Sequence, residues 1–244
     1  MRGGLTALAR LLYVQAAWNY ERMLGIGLGH ASQPLLADLR SVDPARHAEA
    51  VARSSEFFNA NPLLAGLAAG ALARAEHDGV PGAAVGRLRT ALCGPLGALG
   101  DRLFWAGLVP SLAAAGVIGV TLGAGGWAVA AVVLAYNVVR LAVARWALAT
   151  GWREGLQVGT AMGRSWLPRA AERVAAPAGF AVGAAVPLVA VWLLRDAGTP
   201  ALVAAPLLAA GGLVLARAAG PRYSAVRYAL VLLGLAFTLG ALGR

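Results

Sequence analysis

The apolar positions of this chain fall into two regimes. Up to about residue 102 they recur at helical spacing beside polar ones; from residue 103 they run together. Leu5, Leu8, Leu12, Ala16 and Tyr20 mark one face at intervals of three or four, which predicts an amphipathic helix over 5–27. Such a helix lies on or in a membrane interface, with Arg10 and Arg22 near lipid phosphates. A second amphipathic helix is predicted over 43–58, with Asp43 as N-cap and Pro44 at the first helical position. Asn61 precedes Pro62, which disfavours helix at that point. Two short apolar stretches come next, Leu63–Ala73 with Gly66 and Gly70, and Thr90–Gly100 with Gly94, Pro95 and Gly97. Neither is long enough to cross a bilayer. Short, Gly/Pro-broken apolar segments fit re-entrant or discontinuous helices at a substrate site, or alternatively short helices resting on the surface.

No Asp, Glu, Lys or Arg occurs between Leu103 and Val139, and further uncharged runs occupy Val174–Leu194, Ala197–Ala216 and Tyr228–Gly243. About 20 apolar residues cross a bilayer core, so spans are expected near 103–122, 127–149, 174–194, 197–216 and 228–243. The fold class predicted is an all-α integral membrane protein. It has amphipathic N-terminal helices, two short re-entrant or discontinuous apolar segments and about five C-terminal transmembrane helices. Residues 1–102 form the amphipathic and re-entrant region, with candidate substrate-site loops, and 103–244 the transmembrane region.

Composition supports this division. Charged residues make up 13% of the chain and hydrophobic ones 59%, against about 25% and 45–50% for soluble domains. Most of the acids lie at or before Asp101. All 21 basic residues are Arg, and the net charge is +10. No basic cluster interleaved with aromatics suggests nucleic acid. The Arg residues instead crowd the loops 150–173 and 217–227, which places both in the cytoplasm. Five spans then put the N-terminus inside and the C-terminus outside. The N-terminal stretch lacks a clean apolar run with a small-residue cleavage site, so no signal peptide is expected.

The chemistry is that of binding. There is no HExxH, no CxxC and, without lysine, no P-loop. No catalytic residue, metal ligand or cofactor is expected. His30, His47 and His77 are read as surface residues, and the single cysteine, Cys93, as a packed one. A sugar presents hydroxyls that both donate and accept, which carboxylates and amides match. Glu56, Asn59 and Asn61 cluster before the first short apolar segment; Asp101 closes the second, with Trp105 close by to offer a ring face. These five are the candidate substrate-binding residues. The alternative is structural: Asn59 and Asn61 as a helix cap, Asp101 and Arg102 as a boundary ion pair. Asn137 and Arg140 lie inside the second span, where Arg140 either pairs with Asp101 or snorkels to the interface.

Several of these motifs resemble one family. QAAWNYERM at 15–23, EFFNANP at 56–62, GPLGALGD at 94–101, LFW at 103–105 and YNVVRLAVARWALATGWREG at 136–155 are similar to the IID subunit of the mannose/fructose/sorbose phosphotransferase systems. The resemblance implies a multi-pass subunit of the bacterial inner membrane that pairs with a IIC membrane subunit to form the path for a hexose. Cytosolic IIA and IIB components carry the phosphoryl group, and IIC–IID pairs assemble into larger oligomers in the lipid bilayer. The WNYERM segment would hold the N-terminal helix against IIC or IIB. Arg102 departs from the small polar residue common after Gly-Asp. A guanidinium there could neutralise Asp101, so a regulatory docking subunit without net transport stands as the alternative.

Overall fold

The computed structural model describes residues 1–194, and the spans expected near 197–216 and 228–243 lie outside the described residues. Met1–Val186 forms one compact unit, and a second begins at Pro187. Among the described residues the chain is helical and contains no sheet. In order, the helices are α1 (Gly4–Leu11), α2 (Gly25–Leu36), α3 (Leu39–Val42), α4 (Pro44–Ser54), α5 (Ala65–His77), α6 (Gly82–Gly100), α7 (Val109–Gly119), α8 (Gly126–Glu154), α9 (Val158–Arg164), α10 (Leu167–Arg173) and α11 (Ala175–Leu194).

The expected helix over 5–27 is two helices separated by turns. α1 stops at Leu11, and the chain then makes successive tight turns to Trp18. The Asn19 side chain accepts hydrogen bonds from the Glu21 and Arg22 amides, closing an Asx turn. Met23 sits at φ 51°. The helix period continues through 5–27, but local amide bonding and a left-handed residue override it. Arg10 donates through Nη1 to the His30 carbonyl at 2.8 Å, which ties α1 to α2. α4 begins as expected, with the Asp43 carboxylate accepting from the Arg46 amide at 2.9 Å, but ends at Ser54, short of the Phe57-Phe58 pair.

α5 is the centre of the first unit. Ala65, Leu67, Ala68, Ala69, Ala71 and Ala75 are fully buried, and its principal neighbour is α8. The crossing depends on glycine. A Cβ on Gly70 would lie 2.5 Å from the Leu148 oxygen, and one on Gly151 would overlap the Leu67 carbonyl oxygen. Small residues let two helix backbones approach where lipid offers no hydrophobic drive. At the other end of α5, Glu76 is buried and takes ion pairs from Arg53 at 2.9 Å and Arg46 at 3.1 Å. Hydrogen bonding to Glu76 raises the Arg53 pKa above its usual value, against the opposing cost of burial.

The Thr90–Gly100 stretch is not a separate segment. α6 continues without a break through a π-helical stretch, Asp101–Leu108, into α7 and on to Ala124, 43 residues in all. The compositional boundary at 102 therefore falls inside a continuous helix. Pro110, in the first turn of α7, cannot donate to the preceding turn, and the widened π turns lie just before it. The chain reverses at Gly123 (φ 95°) and Gly125 (φ 52°), the turn expected between the first two spans. α7 and α8 then pack antiparallel: a Cβ on Gly119 would come within 2.7 Å of Ala128, and one on Gly116 within 2.9 Å of Val132. The helix over 82–124 and α8 are each long and apolar enough to cross a membrane.

Candidate substrate cavity

The turn between α4 and α5 meets α6 at one point. Asn61, 1% exposed, lies against the start of the π-helical stretch. Its Nδ2 donates to Asp101 Oδ1 at 2.9 Å, and its Oδ1 accepts from the Leu63 amide at 3.1 Å. Both ends of the amide are thus engaged, which fixes its orientation. Gly100 makes this possible, because a Cβ there would overlap the Asn61 side chain. The carboxylate of Asp101, an exposed residue, is thus held through Oδ1 by a buried amide.

Above this bond opens a cavity of about 540 Å³. Asp101 and Trp105 form one wall from consecutive turns of the π-helical stretch. Asn59 and Phe57 come from the turn before α5, and Gln15 and Trp18 from the turns after α1. Cys93, Gly94, Gly97 and Ala98 of α6 make a floor of small side chains. Trp18, Trp105 and Phe57 are each about half exposed, so three aromatic and three polar side chains border one space. That combination suits a polyhydroxylated ring: aromatic faces cover its C–H surface while a carboxylate and amides take its hydroxyls.

Of the five residues named from sequence, Asn59, Asp101 and Trp105 line the cavity. Asn61 does not; it holds Asp101 from below. Glu56 does not either. Its side chain is exposed, and its backbone carbonyl accepts from Arg89 Nη1 at 3.3 Å. Sequence reasoning misses Gln15, Trp18 and Phe57 as lining residues, although Gln15 and Trp18 belong to the QAAWNYERM motif and Phe57 to EFFNANP. Helical periodicity puts Gln15 on the polar side of a continuous helix; only the break after Leu11 turns it toward α6. Cys93, read as a packed residue, is partly buried against the core and also borders the cavity, with its Sγ directed to the Arg89 carbonyl at 3.5 Å.

Neither of the two arginines in question reaches Asp101. Arg102 is exposed, does not border the cavity and makes no ion pair among the described residues. Arg140 makes no ion pair with Asp101: its Nη2 donates to the Leu12 carbonyl at the end of α1.

Known proteins share both the sequence pattern and the fold. The profile of the PTS system mannose/fructose/sorbose family IID component matches residues 5–193. The mannose-specific EIID component of Escherichia coli K12 is 29% identical over 177 residues, covering 70% of this chain and 62% of that protein. The sorbose-specific EIID component of Klebsiella pneumoniae is 30% identical over 179 residues, 70% of this chain and 64% of that one. The chain thus matches less than two thirds of the length of these relatives. Two solved structures share the fold. One, described as a membrane protein, superposes with a TM-score of 0.73 at 22% identity, covering 99% of this chain and 96% of the other. The other, from a complex of the mannose transporter ManYZ with microcin E492, has a TM-score of 0.55 at 24% identity, covering 99% and 94%.

Proposed function

Because the chain belongs to the IID components of the mannose/fructose/sorbose phosphotransferase family, a membrane component of sugar transporters, we propose that its cavity takes a hexose and forms, with a IIC subunit, part of the sugar's path across the bacterial inner membrane. The observation that carries this reading is the Asp101 carboxylate, fixed by a buried amide and presented to a cavity bordered by three aromatic side chains. A hexose fits that chemistry, and the volume of about 540 Å³ accommodates one.

The reading extends to topology and partners. The helix over 82–124 and α8 cross the membrane as an antiparallel pair, in a multi-pass chain whose Arg-rich loops face the cytoplasm. α5 serves as the short re-entrant helix: its backbone is polar, its length is insufficient to span, and the surrounding helices cover it. The chain performs no phosphoryl transfer. A cytosolic IIB component, charged by IIA, phosphorylates the sugar that the IIC–IID pair delivers, and these pairs associate into oligomers. The regulatory alternative draws its force from Arg102 neutralising Asp101. The position of Arg102 outside the cavity favours transport.

The test uses membranes from cells that make this chain together with its IIC partner. Cys93 is the only cysteine of the chain, and it borders the cavity. A sugar seated above it is expected to slow alkylation by N-ethylmaleimide. Mannose, fructose or sorbose should protect Cys93 in the wild type, and Asp101→Asn should abolish both protection and phosphoenolpyruvate-dependent uptake. Normal uptake by Asp101→Asn would remove the carboxylate from the site and this reading with it.

A further inference from the structure

Arg140 lies near the middle of α8, directly after the uncharged run that ends at Val139, where a guanidinium in a spanning helix is costly and ordinarily serves a purpose. Its Nη2 donates to the carbonyl of Leu12, the residue that ends α1. The last carbonyls of a helix have no partner within it, and the end of the helix dipole there is negative. A cation from α8 satisfies both. This places a fixed point one turn before Gln15 and two turns before Trp18, the two residues that the N-terminal segment contributes to the cavity.

A second, smaller cavity of about 100 Å³ shows what lies between. Leu12, Gln15, Pro62, Tyr136 and Arg140 border it, and Gln15 and Pro62 border the large cavity as well. Gln15 thus borders two spaces, one shared with Arg140 and Tyr136 and the other with Asp101, Asn59 and Trp105. The segment carrying Gln15 is also seated from behind: Gly27 packs against the Val14 carbonyl so closely that any Cβ would overlap it. α2 thus blocks the segment on one side, and Arg140 holds its start on another.

We infer that Arg140 is a positioning residue for the sugar site. By capping α1 it sets the Gln15–Trp18 wall, and Gln15 supplies an amide to the sugar from the side opposite Asp101. This rests on the proposed sugar-binding reading of the large cavity. Arg140 itself touches no sugar. Its influence runs through the Leu12 carbonyl, so a substitution that removes the donor leaves the floor and the Asp101 wall in place but lets the Gln15 wall relax.

The experiment measures the sugar concentration that half-protects Cys93 from N-ethylmaleimide, in membranes holding the full chain and its IIC partner, with whichever of mannose, fructose and sorbose protects the wild type. Arg140→Gln and Gln15→Ala are each expected to raise that concentration about tenfold, a change of one order in affinity. The double variant should rise little further, because both changes act on one wall. Arg140→Lys, which keeps a donor and a charge, should recover part of the loss. Each variant's half-protecting concentration is read against its own labelling rate without sugar, because Gln15 and Cys93 border the same cavity. A merely structural role for Arg140 would lower the amount of protein without moving the half-protecting concentration. If Arg140→Gln does not accumulate, Arg140→Lys and Gln15→Ala decide, and wild-type half-protection by both overturns the inference. Protection in the wild type with unchanged variants refutes the role of Arg140 alone. Failure of all three sugars to protect the wild type refutes the cavity reading, and the inference with it.

Discussion

The bond between Asn61 and Asp101 is the most exposed point of the proposed site to a single substitution. Asn61→Ala removes two hydrogen bonds at once. The Leu63 amide, in a residue only 5% exposed, loses its acceptor, and an unsatisfied buried donor costs about 1–3 kcal/mol. Asp101 loses a donor to its carboxylate; such bonds contribute about 1.5–3 kcal/mol, but an exposed carboxylate recovers much of this from water. The sum is about 2–4 kcal/mol of stability. The effect on sugar binding comes from the freed Asp101 side chain, and each ~1.4 kcal/mol lost there raises the half-saturating concentration about tenfold. Asn61→Asp should be worse, since it sets two carboxylates about 3 Å apart in place of a bond; like charges at 4 Å repel by about 4 kcal/mol at an effective dielectric of 20. Heating detergent-solubilised protein and following the monodisperse fraction by size exclusion reads the first effect, and sugar protection of Cys93 reads the second. The expected order in both is wild type, then Asn61→Ala, then Asn61→Asp. If Asn61→Ala matches the wild type in thermal midpoint and in sugar protection, while Asp101→Asn still abolishes uptake, Asn61 does not hold Asp101 and the account of the site fails.

Three other outcomes arise from the packing. Gly151→Ala must separate α5 from α8, and overpacking of this kind costs about 1–3 kcal/mol; Gly94→Ala meets no atom within 4 Å and should leave the thermal midpoint unchanged while narrowing the cavity floor. Arg53→Ala leaves the buried Glu76 with Arg46 as its remaining partner, so the loss should fall toward the lower end of the about 3–5 kcal/mol seen when buried pairs are broken, measured again as a fall in thermal midpoint. Arg102→Ser should leave the half-protecting sugar concentration at the wild-type value, because Arg102 does not border the cavity; a large rise in affinity would show that its charge reaches Asp101 after all.

What the chain determines by itself are features that depend on short stretches of sequence. The absence of charge between Leu103 and Val139 predicts two apolar helices, and the glycines near 125 predict the reversal between them; both are present. Asp43-Pro44 predicts the start of α4, because capping is decided within four residues. The pair Gly66 and Gly70 is visible in the sequence, although the structure is what sets it against α8. Asp101, Asn59 and Trp105 could be singled out because a carboxylate, an amide and a ring beside apolar segments are unusual there.

What only the tertiary structure decides are matters of long-range contact. Apolar spacing from Leu5 to Tyr20 is equally compatible with one helix and with two. The break after Leu11 goes with the Leu12 carbonyl bonding to Arg140, 128 residues away, and with the seating of Val14 on Gly27. That break carries Gln15 from the polar side of a helix to the wall of the cavity, beside Trp18. Asn61 changes from a ligand to a support for the same reason: sequence shows that an amide is present, but its burial and its bond to Asp101 depend on how closely Gly100 lets α6 approach. Side-chain type and spacing are local properties, readable along the chain. Which polar atom is buried, and which faces open space, is set by backbones that meet across tens of residues.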